Sequence, residues 1–165
     1  MKKIKLTLTH TDGTQTVKEY NENLTSLNLS GKRIKRIQGL NALTCLEYLN
    51  LYDNEIERIE GLDALVNLRH LDLAFNRICK IENLDNHNLL EILYLYDNKI
   101  SKIEGLEAFE NLISLNLSNN KITKMEGLQH LFKLKTLNLL NNNISQIEGL
   151  DGLGELKNVS VIAEC

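Results

Sequence analysis

Proline and tryptophan are absent from this chain of 165 residues, and phenylalanine occurs only three times. The core must therefore consist of aliphatic side chains, chiefly Leu and Ile. No apolar run reaches the roughly 18 residues that indicate a transmembrane helix. The N-terminal lysines are not followed by an apolar run that could form the core of a signal peptide. We therefore expect an intracellular protein, cytoplasmic or also nuclear, that does not contact membranes.

Cysteine is scarce, and an excess of positive charge is lacking. Cys45, Cys79 and Cys165 are odd in number and show no C-x-x-C or Cys/His spacing, so we expect free thiols and neither a metal site nor a bound cofactor. The net charge of −3 and the pI of about 5.8 argue against a nucleic-acid partner, because binding phosphates requires a basic surface. The apolar fraction of 42% is ordinary for a globular domain.

An internal repeat organises nearly the whole chain. The segment LYDNEIERIEGL at 51–62 returns at 95–106 as LYDNKISKIEGL, and such an echo calls for a test of a fixed period. A step of 22 residues places one leucine in register seven times: Leu24, Leu46, Leu68, Leu90, Leu112, Leu134 and Leu156. The full motif is L-x-x-L-x-L-x-x-N-x-I-x-x-I-E-G-L-x-x-L-x-x.

Each repeat predicts a short strand followed by a return segment. The end of L-x-x-L-x-L alternates apolar and polar residues, as in a half-buried strand. The later spacing of three predicts a short helical or 3₁₀ return. One repeat cannot bury enough apolar surface to fold alone, so the repeats must stack, with their strands paired in a parallel sheet.

Two further columns predict structural roles. A recurring asparagine, buried where the chain turns inward, can bond the backbone of its own repeat and of the next one; its members are Asn54, Asn76, Asn98, Asn120 and Asn142. Gly and Asn tolerate a positive φ, so a left-handed backbone is predicted at Gly39, Gly61, Asn83, Gly105, Gly127 and Gly149.

These columns resemble the leucine-rich repeat family, and the I-E-G-L ending is similar to its 22-residue class, typified by the nuclear regulatory subunit of protein phosphatase 1. The resemblance implies an α/β fold: a right-handed horseshoe solenoid with a parallel β-sheet on the concave face and short helical or 3₁₀ returns on the convex face. It also suggests a phosphatase-regulatory or scaffolding role.

The ends of the stack need covers. We expect residues 1–23 to form an N-terminal β-hairpin cap with a type I′ turn at Asp12-Gly13, and residues 24–165 to form one repeat domain of six full repeats and a partial seventh. No amphipathic helix closes the far end, so we expect that end to fray or to self-associate.

In the third repeat, we expect His87 to lie outside the core.

The alternation of the strands predicts which side chains line the concave face. Four of the five tyrosines gather in its middle, and exposed tyrosines are typical anchors of protein interfaces, although strand propensity alone also favours aromatics. The predicted partner-binding residues are Tyr48, Tyr52, Asp53, His70, Asp72, Phe75, Ile92, Tyr94, Tyr96 and Asp97.

We therefore predict a non-enzymatic interaction module, an adapter or regulatory scaffold that holds a protein partner on this face. His70 and Asp72 share the face, but no Ser or Cys nucleophile projects beside them, and no phosphate-binding loop is present. Charge columns on the convex face predict a solvated surface of weak ion pairs. The alternative is a structural spacer or a fragment of a larger repeat-containing receptor or adhesin.

Overall fold

A computed structural model describes residues 2–151 and 153–161. Its main element is a seven-stranded parallel sheet with one three-residue strand per repeat. In chain order the strands are β3 (Ser26–Asn28), β5 (Tyr48–Asn50), β6 (His70–Asp72), β7 (Ile92–Tyr94), β8 (Ser114–Asn116), β9 (Thr136–Asn138) and β10 (Asn158–Ser160). Each strand pairs with the next in a register of 22 residues, as Leu49 with Leu71 and Leu71 with Leu93. The solenoid and its parallel sheet are as the period predicts.

The core is an aliphatic column inside the stack. In the parallel sheet, the central residue of every strand except β10 is buried, while its two neighbours face the other side of the sheet. Leucines and isoleucines of the return segments pack against these residues, with Phe109 as the one fully buried phenylalanine among the described residues. The sheet therefore has one face in the core and one face in solvent.

The N-terminal segment is a hairpin joined to the first repeat. Strand β1 (Lys3–His10) pairs antiparallel with β2 (Gln15–Asn21) and, on its other edge, with β4 (Ile34–Gln38) in the first return. Leu6 and Leu8 are thereby buried against the stack. The type I′ prediction is wrong: only Gly13 of the turn has a positive φ, at 83°, whereas a type I′ turn needs two such residues.

The return segments are mostly successive tight turns. Among the described residues, only the first return contains a 3₁₀ helix, Leu40–Ala42. In the others two N–H groups bond to carbonyls three residues earlier, as Leu65 to Leu62 and Leu68 to Leu65. A short turn suffices because the apolar side chains spaced by three all point into the core.

The predicted left-handed column is present, with φ between 60° and 92° at all six positions. A Cβ at Gly127 would lie 2.6 Å from the carbonyl oxygen of Ile103 in the preceding repeat. The glycine here therefore serves both the backbone conformation and the close stacking of repeats.

The asparagine ladder, one asparagine in each of five repeats, joins each repeat to the one before it. The Asn76 Nδ2 donates to Leu51 O and Leu73 O, both at 3.0 Å, and its Oδ1 accepts from the N–H of Ile56 at 2.9 Å. The bond to the backbone of its own repeat is as predicted, whereas the bonds to a neighbouring repeat go to the preceding one and not to the following one.

His87 lies inside the core, contrary to the sequence-based expectation. It is fully buried at the position that Leu65 and Phe109 hold in the neighbouring repeats. Its Nε2 lies 3.2 Å from Leu62 O, and its Nδ1 has no hydrogen-bond partner among the residues described. Burial lowers the pKa of His87, against the weaker opposing effect of the nearby carbonyls of Leu84 and Leu62. The position in the repeat, and not the polarity of the side chain, decides its placement.

At the C-terminal end of the described stack, β10 pairs with β9 and with no other described strand. Val159 remains 39% exposed. Cys45 and Cys79 are free thiols, whereas Ile162 and Cys165 lie outside the described residues. Within the described ranges, no helix has the length and apolar character needed to cross a bilayer.

Candidate functional site

Six aromatic rings form a continuous patch on the solvent face of β5, β6 and β7 and on the residues that follow these strands. We call it the aromatic surface; its members are Tyr48, Tyr52, His70, Phe75, Tyr94 and Tyr96. The sheet brings them together because the 22-residue register sets equivalent positions of adjacent repeats side by side. All the predicted partner-binding residues lie in or beside this patch.

The rings contact one another in sequence. The centroid of His70 lies 4.7 Å from that of Tyr48 and 5.4 Å from that of Tyr94. The centroid of Phe75 lies 5.2 Å from that of Tyr52 and 5.5 Å from that of Tyr96.

A fifth contact, 6.3 Å between Tyr94 and Tyr96, joins the two groups into a single chain of six rings. The four tyrosines are consequently half-buried, more so than the sequence-based expectation of exposed side chains, because each ring covers part of another.

Asp72 lies inside the bend of this chain. It is in register with Asn50 on β5 and with Tyr94 on β7. Burial raises the pKa of the Asp72 carboxyl, partly opposed by the bond from the Ala74 N–H and by His70. Burial also raises the pKa of Tyr96, and the charge of Asp72 raises it further. A half-buried carboxylate is thus surrounded by aromatic rings.

Asp72 also belongs to a structural column that the sequence reasoning missed. The side-chain oxygen of this position accepts the backbone N–H two residues later at 2.8–3.1 Å and so closes the turn after the strand. Its members are Asn28, Asn50, Asp72, Asn116 and Asn138. The signal was the recurrence of Asn or Asp at this step of the period. Tyr94 holds the same position and has no side-chain oxygen that can accept this bond.

A second missed column carries Phe75. The residue before each ladder asparagine, and Gly31 at the same step of the first repeat, has a left-handed backbone; the members other than Phe75 are all types that tolerate it: Gly31, Asp53, Asp97, Asn119 and Asn141. Phe75 alone is bulky, with φ at 53° and 42% of its surface exposed. A bulky residue in this conformation is an outlier, and such strain concentrates at functional sites.

The remaining predicted residues lie at the rim. Ile92 is half-buried, in register with His70. Asp53 and Asp97 flank Phe75 in the left-handed column, and the Asn119 Nδ2 donates to Asp97 Oδ2 at 2.9 Å. Small polar side chains continue the face on both sides, from Ser26 to Thr136.

The charge of this face is of one sign. The outward strand positions and the left-handed residues that follow them hold three acids, Asp53, Asp72 and Asp97, and no Lys or Arg from the second to the sixth repeat. Basic side chains begin two residues further on, where Arg77 and Lys99 line one groove with Phe75 and Asp97. Arg69 pairs with Glu91, and Arg77 pairs with Glu55 at 2.6 Å.

On the return segments, basic and acidic side chains of successive repeats form exposed pairs, as Arg36 with Glu60 at 2.9 Å and Arg58 with Glu82 at 3.2 Å. Such pairs contribute about 0–1 kcal/mol each. Arg36, Arg58, Lys80 and Lys102 each pair in this way with the glutamate 24 residues later.

The groups that could take part in catalysis are His70 and Asp72, on this face, and the described cysteines. Burial lowers the pKa of His70, and the charge of Asp72 partly opposes the shift. The described thiols are a half-buried Cys45 and an exposed Cys79, neither of them on the strands of the aromatic surface. Across residues 2–151 and 153–161, no three His, Cys, Asp or Glu residues are grouped so that they could hold a metal ion.

The repeats match a known family of proteins. A family model described as Leucine Rich repeats (2 copies) matches residues 22–64, 46–86 and 88–130, well over half of the chain. No curated protein matches the chain.

Among solved structures, the internalin InlF of Listeria monocytogenes is 30% identical, with a TM-score of 0.67 over 86% of this chain and 50% of its own. A leucine-rich repeat protein of Leptospira interrogans is 23% identical, with a TM-score of 0.75 over 82% of this chain and 38% of its own, and shows the fold alone. TLR13, in a complex with ssRNA13, is 31% identical, with a TM-score of 0.75 over 82% of this chain and 21% of its own. The chain spans half or less of the length of these three structures.

Proposed function

Because the chain belongs to the leucine-rich repeat family, whose domains are generally protein–protein interaction modules, we propose that it is an adapter or regulatory scaffold that binds a protein partner on the aromatic surface. It performs no catalysis in this role. The partner covers the six rings, and the small polar side chains on either side of them form the rim of the contact.

One observation carries the proposal: two rings of the aromatic surface occupy positions where the fold favours other residues. Phe75 holds a left-handed position that Gly, Asp or Asn fills in the other repeats, and Tyr94 replaces a residue that closes a turn. Strand propensity does not explain Phe75, because its backbone is not that of a strand. Aromatic side chains kept against a local cost, on a solvent-facing surface, are typical of binding sites.

The test compares two double variants as baits. Tyr48→Ala/Tyr94→Ala removes rings from the aromatic surface, and Val66→Ala/Phe132→Ala removes exposed apolar side chains from the return segments, where Val66 and Phe132 are 44% and 56% exposed. Proteins captured by the wild type are identified by mass spectrometry, and their affinities for the three purified chains are measured.

We expect the partner to bind the Val66/Phe132 variant as it binds the wild type and to lose about tenfold or more in affinity for the Tyr48/Tyr94 variant. Thermal unfolding of both variants checks that the fold is kept. Equal affinity for all three chains would contradict a partner site on the aromatic surface.

A finer proposal follows from the I-E-G-L repeats: a role like that of the phosphatase regulator, inside the cell. The similarity of the repeat motif and the free thiols of Cys45 and Cys79 support it. Its test is binding of the protein phosphatase 1 catalytic subunit to the purified chain, which the Tyr48→Ala/Tyr94→Ala variant must weaken. No binding at micromolar concentrations would overturn this finer role and leave the interaction module standing.

The second candidate is a repeat segment of a larger receptor or adhesin, in which this chain acts as a spacer. The 30% identity to an internalin of which the chain covers only half favours it. In that role the aromatic surface has no ligand, and the captured proteins are the same for the wild type and the Tyr48/Tyr94 variant.

Self-association through the edge of β10, where Val159 is exposed, is a separate proposal that the sedimentation of a Val159→Lys variant would test.

A further inference from the structure

The aromatic surface has a charged centre that a purely apolar contact would not need. Asp72 is half-buried, in register with Tyr94 and two residues from His70, and it forms no ion pair with a Lys or Arg of the described residues. Its Oδ1 accepts the Ala74 N–H at 3.0 Å, which leaves Oδ2 for another donor. Covering this carboxylate with an apolar side chain would bury an unpaired charge, which is strongly unfavourable.

Arg69 and Arg77, which precede and follow the strand of Asp72, do not fill this role. Arg69 is paired with Glu91 and Arg77 with Glu55, both outside the patch. Asp53 and Asp97, at the rim, add two further negative charges. The surface is therefore complementary to a cation that arrives with the partner, and it is unsuited to a nucleic-acid backbone.

We propose that the partner segment inserts an arginine side chain into the bend of the aromatic surface, where its guanidinium meets Asp72 and stacks on the rings of His70 and Tyr94. Arginine fits better than lysine because its planar guanidinium stacks on aromatic faces and donates to a carboxylate at the same time. The inference rests on the proposed function, since it specifies the chemistry of the partner at the same surface.

The chain itself supplies the variant that isolates the charge. Asn occupies the position of Asp72 in four other repeats and makes the same turn-closing bond. Asp72→Asn therefore removes the charge and keeps the turn. Asp53→Asn is the matched control: it removes an equal charge from the rim, at a left-handed position that Asn119 and Asn141 show to be compatible with asparagine.

The experiment selects binders of the full chain from a display library of random twelve-residue peptides, with the Tyr48→Ala/Tyr94→Ala chain used to discard binders of other surfaces. We expect the remaining peptides to share an arginine. Replacing it with citrulline, which has nearly the same shape and no charge, is expected to weaken binding to the wild type by about tenfold or more. The same replacement should have little effect on binding to Asp72→Asn and a clearly larger effect, most of that seen with the wild type, on binding to Asp53→Asn.

Three outcomes would contradict the inference, and they are distinguishable. Peptides that require Tyr48 and Tyr94 but bind equally with arginine, lysine or citrulline would overturn the arginine inference alone. A citrulline effect that is the same on Asp72→Asn and on the wild type would place the cation elsewhere. A selection in which no peptide prefers the wild type over the Tyr48/Tyr94 variant would count against the proposed function as well.

Discussion

The backbone of Phe75 provides a direct test of the reasoning about the aromatic surface. A left-handed conformation costs an ordinary L-residue about 1–2 kcal/mol, whereas Gly adopts it freely and Asn adopts it at low cost. We therefore expect Phe75→Asn and Phe75→Gly to be more stable than Phe75→Ala by about 1 kcal/mol, although all three lose the same ring. For a chain of this length the difference corresponds to roughly 2–4 °C in Tm.

Relative to the wild type, two effects oppose each other. Phe75→Asn relieves the strain of about 1–2 kcal/mol. It also loses ring contacts with Tyr52 at 5.2 Å and with Tyr96 at 5.5 Å, each contributing about 0.5–1.5 kcal/mol. The free energy of unfolding should therefore stay within about 2 kcal/mol of the wild type, while partner affinity falls because an anchoring ring is missing.

The assay is urea unfolding followed by circular dichroism. The same three substitutions at Ile92, a half-buried residue on strand β7, are the control. There the order should reverse, with Ala at least as stable as Gly, because glycine weakens a strand. If Phe75→Ala proved as stable as Phe75→Asn and Phe75→Gly, the strain at this position would be refuted, and with it the main support for a binding role of Phe75.

Three further predictions concern the scaffold. His87→Leu should raise stability by about 1–2 kcal/mol, because it removes a buried, unpartnered nitrogen. In the unfolded chain His87 takes up a proton near pH 6.5, whereas burial lowers its pKa in the folded chain, so the stability of the wild type falls as the pH drops below about 6.5. Between pH 7.5 and 5, the urea midpoint should fall less for His87→Leu than for the wild type. An equal fall in both would contradict a buried neutral ring. Gly127→Ala should destabilise the chain more than Gly61→Ala. Both glycines have a φ above 70°, but a Cβ would lie 2.6 Å from a carbonyl oxygen at Gly127 and 3.8 Å from one at Gly61. Equal urea midpoints of the two variants would contradict the claim that close stacking of the repeats requires glycine at position 127. Amide exchange should be faster at Val159 on β10 than at Leu93 on β7, because β10 pairs with only one of the described strands. Equal protection of the two amides in a monomer would contradict fraying of this end.

Most of the fold could be predicted from the sequence because one period of 22 residues fixes the strand, the return and both structural columns at once. The left-handed glycines and the asparagine ladder follow from residue type and recurrence alone. His87 shows where this reasoning fails: its polarity suggests an outward side chain, yet the stack assigns its position to the core and tolerates an unpaired nitrogen there.

The candidate site was predictable only in part. Alternation along the strands indicates which side chains share a face, and the rings do lie together. The sequence did not reveal that Asp72 closes a turn or that Phe75 has a left-handed backbone. The recurrence of Asn or Asp at the Asp72 position was a signal for the first feature, whereas the left-handed backbone of Phe75 becomes visible only in the structure, because phenylalanine does not favour that conformation. The type I′ turn was mispredicted for a related reason, since Asp-Gly is compatible with more than one hairpin turn.

The central claim, that a partner covers the aromatic surface, is tested most directly by hydroxyl-radical footprinting of the chain with and without its captured partner. In the free chain, Tyr48, Tyr52, Phe75, Tyr94 and Tyr96 should all be modified, and in the complex all five should be protected. Tyr20, on the hairpin strand β2, and Phe132, on a return segment, are internal controls whose modification should not change. Protection of Tyr20 or Phe132 with the five rings still reactive would place the partner elsewhere and contradict the account.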